Sequence, residues 1–429
     1  MKKIFLLLIL NWVRLVSFAQ PLKVGEFFPL ERVNNVFNSS SDVLDFKSIK
    51  RKLIILDFWA TNCYGCIASF PDVDSVQKLF HDKVQFIMVN QDTKDSTERF
   101  FTLRKKIKVP QVPFVTSDKK LNALFPHDGV PCHVWIDSNW IVRYITTSTY
   151  ANPVTIANYL SGRDTRIVAF HTGRTKINSV LNSEYDEKVE YLSLITHCIE
   201  GNQQDYSDSL LKRSARLTTK CVSVLELYKM AFNERDKFDF GRPGRIDLEV
   251  NDSFKYVKPR DKSIIPDWYS MYAYNYELII PKRMEARKFS IMREDLQRYF
   301  GLNAKIEKRK RNCLVLLRTT QENKIKSKGG EAINSFFQSD EHRTVNDSLR
   351  ILQNQPYENF SRLIRIWIEK EKNLPFVDAT GLNGNIDLQF KGETIDNIEI
   401  DNLNEELQKF GLRIEEQQYE IDVLVISEK

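Results

Sequence analysis

Cys63 and Cys66 are separated by two residues, Tyr64 and Gly65. An apolar run ending Leu56-Asp57-Phe58-Trp59-Ala60 comes before them, and an amphipathic stretch follows. Paired thiols at the junction of a buried strand and a helix are the working parts of a thiol–disulfide exchange site. The unpaired N–H groups and the dipole of a helix start favour negative charge, so the first cysteine can hold a thiolate near neutral pH. The thiolate is the form that attacks a disulfide. Structural zinc would need four ligands, usually from two close pairs, and the chain has one Cys-x-x-Cys.

The flanking pattern predicts the elements that must hold this pair. Leu53 to Phe58 reads as a buried strand and Val84 to Val89 as a second. After Cys63, residues Ile67, Phe70, Val73, Val76 and Leu79 recur at helical spacing. Ser96 to Lys106 reads as a helix. Val134 to Ile136 and Ile141 to Ile145 read as a hairpin around Asp137-Ser138-Asn139. Pro153 to Leu160 is a closing helix with proline in its first turn. Alternating strands and helices predict an α/β unit.

Residues from about 21 to 163 resemble the thioredoxin fold, and within it the TlpA/ResA branch of exported thiol–disulfide oxidoreductases. The resemblance rests on Asp57-Phe58-Trp59-Ala60, on Cys63 to Cys66, on Pro71 five residues after the second cysteine, and on Val130-Pro131 ahead of a strand ending Ile136-Asp137. It implies a central mixed sheet flanked by helices, with no cofactor beyond a redox-active Cys63–Cys66 disulfide. Cys63 would attack the target disulfide, and Cys66 would resolve the mixed disulfide. Asp57 would be a buried carboxylate that exchanges the proton of Cys66. Pro131 is the residue expected in a cis peptide bond, leaving the Val130 backbone free for a substrate strand. Trp59, Tyr64 and Val130 are the expected substrate contacts. The implied partners are protein disulfides and an envelope electron donor. Two departures stand out: Asn62 occupies a position where the family usually has tryptophan, and Tyr64-Gly65 lacks the proline of many such sites.

Cys132, directly after Pro131, admits two readings. It is a small buried strand residue, or with His133 and the Cys63/Cys66 pair it forms a soft copper or zinc site, which would make the chain a metal-delivery protein. Of the other cysteines, Cys198 and Cys221 could pair, and Cys313 lies in an apolar strand.

The remaining features concern address and organisation. Lys2-Lys3, the apolar run Ile4 to Leu10 and Ser17-Phe18-Ala19 predict a signal peptide cut after Ala19, hence a periplasmic protein. The run falls short of the ~20 apolar residues that span a bilayer, so an integral membrane protein is not expected. A net charge of +6 over 429 residues makes no case for nucleic acid. The basic clusters Arg104 to Lys108 and Lys305 to Arg311 read as solvated faces. The expected domains are the signal peptide (1–19), a redox domain (20–163), a helical connecting segment (164–245) and an α+β region (246–429). In that last region, Asp295 to Leu302 and Glu406 to Leu412 begin two copies of a unit reading helix, glycine stop, strand, turn, strand. Asn373 to Gly384 resembles a domain of unknown function in secreted bacterial proteins. Without a catalytic motif, the region reads as a binding or assembly module, and the alternative function is an envelope interaction protein.

Overall fold

The computed structural model describes residues 20–127, 129–163, 165, 167, 189–198, 205–210, 213–233, 239–336, 349–396 and 398–428. The expected signal peptide lies outside them. The chain divides into two compact units, one made mainly of the described residues up to 167 and the other mainly of those from 189 onward.

In the first unit, β1 (Arg32–Asn34) and β3 (Val43–Asp45) form a small ribbon. The main sheet takes β2 (Val36–Phe37), β4 (Leu53–Phe58), β5 (Val84–Val89), β6 (Phe114–Val115), β7 (Cys132–Asp137) and β8 (Val142–Thr146), in the order β2-β6-β5-β4-β7-β8. β4, β5 and β6 run parallel, β7 runs antiparallel beside β4, and β8 runs antiparallel to β7 at the edge. The helices are α1 (Tyr64–Leu79), α2 (Lys94–Leu103), α3 (Lys120–Leu124) and α4 (Pro153–Leu160). Every residue of β4 is buried, so its alternation divides two cores. Leu53, Ile55 and Trp59 pack with Cys66, Phe70, Val73 and Val76 of α1. Ile54, Leu56 and Phe58 pack on the opposite face with Cys132, Val134 and Ile136. Each such side chain contributes about 1.5–3 kcal/mol on burial. Pro71 lies inside α1, where it removes one backbone donor. Leu79, expected on the buried face, is exposed at the last turn.

The second unit contains β9 (Leu192–His197), β10 (Asp205–Leu210), β11 (Ser214–Ser223), α5 (Val224–Phe232), β12 (Ile246–Glu249), α6 (Ile265–Tyr272), β13 (Ala273–Pro281), α7 (Lys288–Phe300) and β14 (Asn303–Arg318). It continues through β15 (Ile333–Asn334), β16 (Leu349–Pro356), α8 (Tyr357–Lys372), β17 (Phe376–Asp378), β18 (Asn385–Lys391), α9 (Gly392–Asp396), α10 (Ile400–Lys409) and β19 (Leu412–Ser427). The described part of 164–245 is therefore mainly strand, not the helical connection expected. In β11 buried Ala215 and Leu217 alternate with half-buried neighbours, a period of two. Helical spacing is confined to Val224, Leu227, Tyr228 and Ala231 of α5. The expected boundary at 245/246 also cuts through a sheet, because β11 pairs with β13. Cys198 and Cys221 form a disulfide. It links the end of β9 to β11, the two strands that flank β13.

The internal repeat is larger than the sequence pattern indicates. β11, α5, β12, β13, α7 and β14 correspond to β16, α8, β17, β18, α10 and β19. Both β11–β13 and β16–β18 are antiparallel pairs broken by a bulge, at Thr219/Val222 and Leu352/Gln355. The bulges hold Cys221 and Asn354, each with φ 48°. The expected turn within each copy is absent. β14 and β19 are unbroken strands of 16 residues, paired from Asn303↔Ser427 to Arg318↔Leu412. Superposing Phe300-Gly301-Leu302 on Phe410-Gly411-Leu412 makes Lys310 the counterpart of Glu420, and these two residues pair with each other. A local two-fold axis therefore passes between them. The short strands are exchanged across it: β12 lies on β19 with Ile246 opposite Leu424, and β17 lies on β14 with Phe376 opposite Leu314. The cores are exchanged too. Leu424 and Ile426 complete the core of the first half, and Leu314 and Leu316 that of the second.

Gly301 and Gly411 end the equivalent helices with φ 71° and 70°, in the left-handed region. A Cβ at Gly301 would meet nothing within 4 Å, whereas one at Gly411 would fall 2.1 Å from Thr320 Cγ2. Gly301→Ala is expected to cost the backbone penalty alone, about 1 kcal/mol. Gly411→Ala is expected to cost more, because the Thr320 methyl must also move. Urea unfolding of the two variants checks the order, and equal losses would contradict it.

Candidate functional site

Cys63 stands at the start of α1 and caps it, its Sγ accepting the Cys66 N–H at 3.1 Å. Cys63 and Cys66 are joined by a disulfide with their Cα atoms 5.3 Å apart. Cys63 is half-buried, Cys66 is 1% exposed, and Tyr64 between them is 59% exposed. The sulfur within reach of another protein is therefore that of Cys63. Its Sγ lies 3.6 Å from the Val130 carbonyl oxygen, and the Val130–Pro131 peptide bond is cis. The loop before β7 thus meets the first cysteine edge-on, and half-buried Val130 borders both sheet cores.

Trp59 does not sit at the surface as a substrate contact would. It is 2% exposed, and its ring packs against Phe70 at 5.3 Å and Phe114 at 5.8 Å. It is an aromatic floor beneath α1, put there by strand parity: Trp59 follows Leu53 and Ile55 on the α1 face of the sheet. Tyr64 and Val130 remain at the rim of the site.

Asp57 is 1% exposed at the end of β4 and stands directly opposite His133 of β7. Its Oδ2 lies 3.2 Å from His133 Nε2, with both side chains 1% exposed. The contact is not aligned as a hydrogen bond, and neither side chain has another hydrogen-bond partner among the described residues. Parity puts Asp57 on the same face as Ile55 and Trp59, the face that holds Cys66. His133 shares that face because it alternates with Cys132 and Val134, which belong to the opposite core. The sequence pattern marks Asp57 but does not by itself mark His133 as its neighbour. The signal was available: His133 has the parity of Trp135, on the strand that pairs with β4.

The same parity corrects the metal reading. Cys132 and His133 are consecutive strand residues pointing to opposite faces, and Cys132 lies in the core away from Cys66. The proposed set of Cys63, Cys66, Cys132 and His133 is not brought together. Burial, and after it the nearby Asp57 charge, push the Cys132 thiol up to about 12. Since the thiolate is the reactive form, Cys132 is expected to resist iodoacetamide at pH 8 in the folded, reduced protein, while Cys63 is alkylated. Peptide mapping after the reaction checks this. Cys313 is also buried.

Residues 51–142 match a family described as thioredoxin-like, and residues 253–428 match a family described as protein of unknown function (DUF3738). The N-terminal third is thus a thioredoxin-like domain, and the C-terminal part is similar to that second family. The chain is 24% identical over 110 residues to the thioredoxin-like protein YneN of Bacillus subtilis, covering 26% of this chain and 65% of that protein. Among solved structures, it is similar to the thioredoxin domain of a thiol-disulfide oxidoreductase from Bacteroides vulgatus, with 15% identity, 32% of this chain and 98% of that one covered, and a TM-score of 0.27. It is also similar to the exposed lipoprotein thioredoxin of Streptococcus pneumoniae, with 20% identity, coverage of 24% and 81%, and a TM-score of 0.23.

Proposed function

We propose that the protein is an exported disulfide reductase that works through the Cys63–Cys66 pair. The observation that carries this reading is the asymmetry of the two sulfurs: Cys63 is accessible beside the Val130 carbonyl, and Cys66 is buried behind it. In the reduced protein, the Cys63 thiolate attacks a substrate disulfide. A Cys63–substrate S–S bond forms, and one substrate thiolate leaves. Cys66 then attacks Cys63 Sγ, giving its proton to Asp57 as the Cys63–Cys66 bond forms and the second substrate thiolate departs. The substrate gains two electrons and the protein dithiol loses them. An envelope dithiol donor restores the pair by the reverse exchange. Pro131 keeps the Val130 backbone at the attacking sulfur, and the exposed Tyr64 borders the substrate.

Export is supported by the leader-like N-terminal sequence and by the Cys198–Cys221 disulfide, because such bonds persist in oxidising compartments. The deciding experiment is the reduction potential of Cys63–Cys66, by equilibration with dithiothreitol or glutathione. A value at or below about −250 mV, near that of thioredoxin, is expected of a reductase. A value near about −120 mV would make the protein an oxidant that inserts disulfides, and the reductase reading would be wrong.

A further inference from the structure

Asp57 and His133 are two ionisable side chains in one core, each 1% exposed, 3.2 Å apart. Both carboxylate oxygens and both ring nitrogens lack any other partner among the described residues. A buried polar group without a partner is costly, and more so if charged. Four such atoms at one point are explained most simply if the two groups serve each other.

We propose that His133 is the positioning residue for Asp57: its Nε2–H holds the carboxylate so that Asp57 can take the Cys66 proton during resolution of the mixed disulfide. The proposal rests on the redox reading above and deepens it. The surroundings leave few rivals for this role. On the same face of the sheet the titratable groups among the described residues include Cys63 and Cys66 at the start of α1, Asp137 at the end of β7 in its ion pair with Arg143, Tyr144 from β8, Tyr159 from α4 and Tyr150 from the turn before α4. Across the neighbouring strands His133 meets Asp57 on β4 and Thr146 on β8, and the Phe86 ring of β5 stands edge-on at 6.4 Å. Cys132 lies on the other face. A histidine donor here gives the carboxylate a hydrogen-bond partner that the apolar core otherwise denies it. The proton that leaves Cys66 then resides on Asp57 Oδ1 or Oδ2 until the site exchanges it, and His133 keeps its own.

The test uses the reduced full-length protein and dithiobis(nitrobenzoate), which releases one coloured thiolate when Cys63 attacks and a second when Cys66 resolves. His133→Phe removes the donor at similar volume. It is expected to slow the second release about tenfold or more and to move the rising limb of its pH profile upward by about one pH unit. The first release should change little. His133→Gln, which keeps a donor amide, is expected to restore the rate and the profile. If His133→Phe does not fold, His133→Asn, whose shorter side chain withdraws the donor, should show the same slow and shifted second phase. A wild-type rate and pH profile in His133→Phe or His133→Asn would overturn the proposal alone. If the unmodified protein showed no second release, the redox reading itself would fail, and the proposal with it.

Discussion

Cys63→Ser is expected to reduce insulin disulfide cleavage to background, a loss on the order of a thousandfold or more, whereas Cys66→Ser accumulates a covalent adduct with its substrate. The difference follows from where the two sulfurs sit. Cys63 begins α1, accepts the Cys66 N–H and is half open to solvent. It gains the stabilisation of a thiolate that a helix start provides. Cys66 is one turn inside and 1% exposed, so no protein disulfide can reach it directly. With Cys63 absent, there is no nucleophile at the surface. With Cys66 absent, the first exchange still occurs, but the mixed disulfide has no resolving thiol and persists. Non-reducing electrophoresis after incubation with oxidised insulin reads both outcomes, and dithiothreitol should dissolve the adduct. Retained activity in Cys63→Ser would end the redox reading. An equal loss in both variants without an adduct would remove the assigned order of attack.

The site was legible because its parts are local. Leu53 to Phe58 has too many apolar residues to face water on either side, which fixes a central strand. The cysteines follow within one turn of its end. The Val130-Pro131 loop lies far along the chain, but its partner strand is apolar enough to be recognised. His133 was less legible, since pairing Asp57 with it requires the register between β4 and β7, which depends on both strands and the sheet order. The second unit was harder for the same reason. Lys305 to Arg311 resembles a turn in composition, yet it continues as strand. Its charges lie along β14 and are answered by acids on other strands of the sheet: Lys308 by Asp422 of the adjacent β19 at 3.0 Å, and Arg309 and Arg311 by Asp247 of β12, one strand further. Cross-strand pairs of opposite charge support a sheet that apolar spacing alone does not reveal. The exchange of β12 and β17 between halves leaves no local mark at all. β12 finds its partner far along the chain, Ile246 opposite Leu424, and β17 reaches back to β14, Phe376 opposite Leu314, while each strand's own half supplies the rest of the core.

That exchange makes the contacts around β17 sensitive, and Glu369→Ala is expected to destabilise the second unit by about 3 kcal/mol or more. Glu369 lies on the last turns of α8 with its side chain 8% exposed. Its Oε1 accepts from Arg242 Nε at 2.9 Å and Nη2 at 2.5 Å, and also from the Phe376 backbone N–H at 2.9 Å. Arg242 Nη2 in turn donates to the Phe376 carbonyl at 2.9 Å. One carboxylate thus ties α8, the 241–244 turn and the first residue of β17 together, and Phe376 is itself buried in the second core. Alanine would leave a guanidinium that is 16% exposed without its counter-charge and a buried N–H without an acceptor. Both losses fall on one point, which is why the cost should exceed that of a surface ion pair, worth about 0–1 kcal/mol. Glu369→Gln keeps an acceptor for Phe376 and should lose less, separating the charge from the hydrogen bond. Urea unfolding of the two variants, followed by circular dichroism, supplies the comparison. A loss below about 1 kcal/mol for Glu369→Ala would mean that β17 is held on β14 by its apolar side chains alone, with the ion pair contributing no more than an exposed one.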